Sequence, residues 1–285
     1  MKITVRTIIL GLLFATFGFS SENMGDFIFH HIGNSEKWQP IPGMGAITIP
    51  GSHYEIFGFN MGITLHVFMM FVAAILMIVL FKISSKRKNL TPTSKFGHAI
   101  EALVIYIRDD LVVPNVGKKD AQKWLPFFLT LFFFILTLNL IGMIPSMSTT
   151  TANINFTAAM TLLIFVTFNG AGMFKNGPIK YFLNLVPSGI PAPVLIILAP
   201  IEIIGLITKA VALAIRLFAN MAAGHIIILS LLGLISVLSS HWVAVASVPF
   251  SLFISLIEVL VAFLQAYVFT LLATLFVGMS IHQEH

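Results

Sequence analysis

The chain has 285 residues, 58% of them hydrophobic and only 9% charged, with a formal net charge of +5 and no cysteine, and its mean hydropathy is +0.98. A soluble domain needs about 25% charged residues to coat its surface, so this composition excludes a water-facing globule, and the absent thiols exclude disulfides, thiolate metal sites and cysteine nucleophiles. The positive balance does not point to nucleic acid either, because the cations stand beside apolar segments, as Lys82, Lys86, Arg87 and Lys88 do after the first long one, the pattern of cytoplasm-facing loops.

In chain order, Lys2 and Arg6 precede an apolar run over 7–19, followed by Ser20, Ser21 and Glu22. About 13 residues suit the core of a signal peptide better than a full span, and Gly18 and Ser20 supply small residues for cleavage; a retained anchor is the alternative. The expected division is therefore a signal peptide over 1–21, an extracytoplasmic segment over 22–60 and a membrane domain over 61–285, with an ion-path hairpin at 194–281. The 22–60 segment mixes Gly and Pro with His30, His31 and His53, and His66 follows. No carboxylate or second histidine pair stands at ligand spacing, so a loop or short surface helix is predicted there rather than a metal site. No cofactor is expected.

A first span is predicted over 61–83, ending in the basic cluster. From 94 to 113, Phe96, Ile100, Leu103, Ile107 and Leu111 recur at helical spacing with Lys95, His98, Glu101 and Arg108 between them, which makes one apolar face on a helix too charged to span. An interfacial helix along the membrane surface fits. Spans over 123–144 and 156–174 follow, separated by the Ser/Thr/Asn-rich turn of 146–155. Gly177, Pro178, Pro187, Pro191 and Pro193 then oppose any long helix.

Two very long apolar segments, 194–238 and 242–281, complete the chain. As helices they would reach about 60 Å or more, roughly twice the hydrocarbon core, so they must tilt, bend or run partly in the membrane plane. A turn at 239–241 makes them an antiparallel hairpin. The fold class is thus an all-α membrane protein with about five membrane helices, one interfacial amphipathic helix and a long, strongly tilted terminal hairpin. Counting spans puts the mature N-terminus outside and His285 inside.

From 125 to 281 the charges outside loops are Glu202, Lys209, Arg216 and Glu258, and His225 is a further ionisable group. A cation at mid-membrane costs about 2.5–3.5 kcal/mol on insertion scales, and residues so costly face a partner or a water-filled path. Glu202, Lys209 and Arg216 are spaced seven apart, and seven residues at 100° return to within about 20° of one face. Asn220 stays near that stripe, whereas His225 points to the other side. Glu258 and Gln265, again seven apart, share a face on the second helix. Two readings of Arg216 stand: an ion-handling group, or half of a helix-packing ion pair. Glu202 lies about 21 Å away along the helix and cannot supply that pair; Glu258 could, across the hairpin. Lys209 can snorkel from near a helix end, and Glu202 suits a solvated helix end as well as a proton path. His225 and Glu258 together suit proton exchange near neutrality.

At these residues the sequence resembles subunit a of the F-type ATP synthase, the stator of its membrane motor. The matching core is Glu202, Lys209 and the run Arg216-Leu217-Phe218-Ala219-Asn220-Met221-Ala222-Ala223-Gly224-His225, with Glu258 and Gln265 on the last helix and the Thr151-Ala152-Asn153-Ile154-Asn155-Phe156-Thr157 stretch after Pro145. The resemblance runs from about Asp26 to the end. It implies a multi-pass subunit of the bacterial inner membrane with no catalytic site of its own. The implied partners are a rotating ring of c subunits, the b-subunit peripheral stalk, the remaining synthase subunits and the lipid bilayer. Two half-channels would serve the ring. Arg216 would face the ring carboxylates, His225, Glu258, Asn220 and Gln265 would line the outer path, and Glu202 would serve the cytoplasmic exit, with Lys209 in support. One departure concerns His225 and Glu258: many bacterial relatives carry an acidic residue at the first position and a histidine at the second, so the pair is read as one unit.

The competing class is a self-contained proton-coupled transporter, which would move solute when reconstituted alone. An intramembrane hydrolase lacks support, with no His-Glu-x-x-His motif and no serine/lysine pair in register, and no phosphate-cradling Gly-x-x-x-x-Gly-Lys-Ser/Thr motif is present either.

Overall fold

A computed structural model describes residues 33, 37–38, 47–49, 55–56, 59–60, 62–85, 87–88, 91–92, 94–144, 147–183, 192–238 and 241–282. The expected signal peptide, most of the 22–60 segment, His30, His31, His53 and the Pro187–Pro191 stretch lie outside the described residues. Among the described residues the architecture is α-helical, with five helices long and apolar enough to cross a membrane. The strands among them form three antiparallel pairs of two residues each: β1 (Lys37–Trp38) with β2 (Ile47–Thr48), β3 (Glu55–Ile56) with β4 (Phe59–Asn60), and β5 (Arg87–Lys88) with β6 (Thr91–Pro92).

Helix α1 (Leu65–Ser84) has Lys82 in its last turn as its only cation. Helix α2 (Lys95–Tyr106) opens with Ser94 in extended conformation, whose hydroxyl accepts from the Gly97 N–H at 2.9 Å, satisfying one of the donors that a helix start leaves open. The predicted interfacial helix continues beyond its expected end, but not as a uniform α-helix. Residues Ile107–Val112 form a π-helix and Val113–Val116 the short helix α3. Pro114 has no N–H to return to the Asp110 carbonyl, and its ring would crowd that oxygen in an α-turn; the wider π spacing meets this constraint. The apolar stripe is graded, Phe96 being exposed while Ile107, Leu111, Val112 and Val116 are fully buried.

Gly117 turns the chain at φ 84° into α4 (Lys118–Gly142). A 3₁₀ turn, Thr150–Ala152, precedes α5 (Ile154–Asn176). Gly177, at φ 83°, ends α5, and Pro178 begins the short helix α6 (Pro178–Leu183). Helix α7 (Ala192–Leu238) has 47 residues and α8 (His241–Ile281) has 41, about 70 and 62 Å at 1.5 Å per residue. Pro193, expected to oppose helix formation, lies in the first turn of α7, where a missing N–H costs nothing. His241, assigned to the turn, instead opens α8.

The chain forms two compact units. One comprises 1–73, 138–153 and 218–263; the other comprises 74–137, 154–217 and 264–285. In the first, His66 is buried, its Nε2 3.1 Å from the Gly33 carbonyl and its Nδ1 3.2 Å from the Ser148 hydroxyl. A carbonyl only accepts, so Nε2 carries the proton and Nδ1 accepts from Ser148. His66 thus ties α1 to the segment after α4. In the second unit the C-terminal end of α8 is locked in place. A side chain at Gly278 would strike the backbone carbonyl of Asn115. The Asn115 amide donates to the Leu111 carbonyl at 2.8 Å and to the Thr274 hydroxyl at 3.1 Å. Ser280 donates to the Phe168 carbonyl, and Asn176 donates to the Ser280 carbonyl at 3.2 Å.

Candidate functional site

The first unit brings two of the predicted residues into one neighbourhood. His225 on α7 and Glu258 on α8 are each 4% exposed. The Glu258 carboxyl lies against the backbone of Gly224, the residue before His225: a Cβ there would stand 2.9 Å from Oε1 and 3.2 Å from Cδ. Only a residue without a side chain lets the carboxylate approach α7 this closely. Glu258 Oε1 is buried with no hydrogen-bond partner among the described residues. A carboxyl oxygen kept from water without a donor is costly, so this position suits a group that exchanges a proton or meets transient water.

Sequence reasoning passed over two features here. Gly224 was read only as part of a motif, although the Ala222-Ala223-Gly224 run signals close helix approach. Asn139, a lone amide in the apolar run near the C-terminal end of α4, is fully buried and donates to the Ala262 carbonyl at 3.0 Å, one turn beyond Glu258 on α8. Ser251, seven residues before Glu258, is also buried and extends the polar stripe of α8 backward by the period that relates Glu258 to Gln265. The isolated amide and the heptad repeat were both visible in the sequence.

In the second unit, Arg216 lies on an exposed face of α7 and makes no ion pair among the described residues. Large apolar side chains surround it on the same helix: Ile207, Val211 and Ile215 are each between 49 and 51% exposed. Lys209 is likewise exposed, as is Asn220 on the part of α7 that belongs to the first unit; Gln265 is half-buried. The backbone at Glu202 is helical, and its side chain lies outside the described residues. The helix-packing ion pair weighed for Arg216 has no acidic partner among the described residues. No group of three metal-ligating side chains occurs among them.

The sequence of the chain matches a known family. The family model for the ATP synthase A chain matches residues 67–278. ATP synthase subunit a of Chlorobium phaeobacteroides (strain DSM 266) is 46% identical over 274 residues, covering 94% of this chain and 79% of that protein. Its counterpart in Chloroherpeton thalassium is 42% identical over 261 residues, covering 90% and 77%. ATP synthase subunit a 2 of Chlorobaculum tepidum is 44% identical over 266 residues, covering 92% and 74%.

Proposed function

The chain belongs to the ATP synthase A chain family, and on that premise we propose that it is the proton-translocating stator of the synthase's membrane motor, offering two half-channels to a rotating c ring. Arg216 faces the ring carboxylates. His225, Glu258, Asn220 and Gln265 line the path from outside, Glu202 serves the cytoplasmic exit, and Lys209 supports the stripe. The subunit sits in the bacterial inner membrane with its mature N-terminus outside and its C-terminus in the cytoplasm, and it assembles with the c ring, the b-subunit stalk and the remaining synthase subunits. It hydrolyses nothing itself.

The observation that carries this reading is Arg216: a guanidinium on an exposed, isoleucine-rich helix face, with no ion-pair partner among the described residues. In a bilayer such a charge is stable only beside an anion or water, and here the anion is supplied from outside the chain. In low dielectric a nearby guanidinium favours the ionised form of a carboxylate. A ring carboxylate would therefore give up its proton on reaching Arg216 and recover one after leaving it, and the fixed cation would block protons from crossing directly between the half-channels.

The test is Arg216→Ala in the assembled synthase in inverted vesicles. ATP synthesis driven by a proton gradient should fall to background, at least a hundredfold, with the complex still assembled. Retained ATP-driven pumping would overturn the assignment, and so would solute transport by the subunit reconstituted alone. We further infer that His225 and Glu258 act as one proton-sharing pair, supported by the approach of the Glu258 carboxyl to Gly224. The doubly exchanged variant His225→Glu, Glu258→His should then recover more synthesis than either single substitution. Equal activity in all three would remove the pairing.

A further inference from the structure

The second unit carries a cavity of about 590 Å³ where the first turns of α4 meet the last turns of α5 and the end of α8. We propose that this cavity binds one anionic phospholipid, its phosphate beside Lys123 and Lys175 and an acyl chain along the wall formed by Val166, Phe174 and Ile281.

The two helices change character at the same place. On α4, Lys123 is followed by Trp124 and then an uncharged run to Gly142; on α5, Phe174 precedes Lys175 after an uncharged run from Ile154. A tryptophan beside a lysine marks the boundary between hydrocarbon and headgroups, and the Lys123–Trp124 pair lines this cavity together with Lys175, where the uncharged run of α5 ends. Within the cavity, Lys175 Nζ stands 2.6 Å from Asp120 Oδ2, and that single carboxylate also faces His282 at 4.0 Å and the charge of Lys123. Lys123 makes no ion pair among the described residues, and Lys118 and Lys119 stand exposed on the preceding turn. The mouth is therefore left with surplus positive charge. The wall is apolar, and the Phe174 side chain is 94% exposed.

A free phosphate would meet the cation and leave the wall bare. An uncharged lipid would cover the wall and leave Lys123 unmatched. An anionic phospholipid satisfies both, and lysines near an anionic headgroup each strengthen its binding severalfold. This site is independent of Arg216 and of the proposed proton path.

The assembled synthase is placed in phosphatidylcholine nanodiscs containing phosphatidylglycerol with a photoreactive acyl chain, and the adducts are mapped by mass spectrometry. Adducts are expected on the peptides carrying Trp124 and Phe174, displaced by unlabelled phosphatidylglycerol and not by added phosphatidylcholine. Lys123→Gln should lower labelling about fivefold, and Lys123→Arg should retain it. Labelling indifferent to the headgroup or to Lys123→Gln overturns the site. Displacement by soluble glycerol phosphate overturns it as well, since the cavity would then hold an ion. A cross-link in which a peptide of another subunit takes the lipid's place, or failure of the Lys123→Gln synthase to assemble, would instead make this surface a protein contact.

Discussion

Two regions of the second unit meet the membrane in opposite ways. At the end of α8, Ala273, Thr274 and Val277 are fully buried, and Gly278 rests on the Asn115 carbonyl. Along α7 from Ile201 to Ile215, five large apolar side chains are each between 49 and 61% exposed, and Arg216 follows them. The contrast is local to the end of α8, since the most apolar windows of α7 and α8 are both little buried, 28% and 22%. Both regions are apolar, so hydropathy does not separate them. The difference lies in residue size and shape. Small residues at the end of α8 and the short amides of Asn115 and Asn176 beside it let backbones approach and hydrogen-bond, whereas branched side chains on α7 present a ridge left half exposed among the described residues. In a bilayer, close packing and interhelical hydrogen bonds hold helices together, since lipid is as apolar as leucine. One region is therefore built for permanent contact within the chain, and the other leaves its surface to lipid or to a partner.

Glycine substitutions give the sharpest contrast. Gly278→Val should prevent the folded subunit from accumulating, because the obstacle is backbone and cannot swing aside, while Gly205→Val on α7, with open space among the described residues, should accumulate normally. Equal loss of protease-resistant subunit in both would dissolve the comparison. Asn115→Leu removes the hydrogen bonds to Leu111 and Thr274 and should cost about 0.5–1.5 kcal/mol, read as a lowered denaturation midpoint in detergent.

A smaller effect is expected outside the spans, where Arg108 holds the exposed Asp109 carboxyl below its usual value by hydrogen bond and charge. A depressed folded pKa stabilises above the unfolded value, near 3.8, and that contribution disappears as the pH falls through the lower folded value. Asp109→Asn should therefore show its full effect at pH 7, small because the pair is exposed, and its difference from the parent should vanish in strong acid. A difference that grows on acidification would reverse the sign. Smallest of all is the stability change in Arg216→Ala: the denaturation midpoint should stay where it was while synthesis is lost. A substantial fall in the midpoint would mean that Arg216 is held within the chain after all.

How much of this was legible depends on the residue. The spans came through to within a few positions because runs of apolar side chains leave a bilayer no alternative to helix. Arg216 stood out for the same reason, as a charge whose cost demands a partner. The heptad relation of Glu258 to Gln265 was read directly, although its extension to Ser251 was missed. The π-helix at Ile107–Val112 was not foreseen, since the stripe from Phe96 to Leu111 fits α periodicity and only Pro114 hints at a change. Asn139 and Gly224 drew no attention because neither carries charge.

The sequence by itself determined the membrane class, the number of spans, the two over-long helices and the expensive cations, all of which follow from local transfer energies and helical periodicity. Tertiary structure decided which apolar surfaces are covered. It set the Glu258 carboxyl on the backbone of Gly224 and the end of α8 on Asn115, and among the described residues it left the face around Arg216 exposed. Those choices turn on contacts between segments far apart in the chain, where the absence of a Cβ or the reach of an amide determines how closely two helices approach, and no local pattern records that distance.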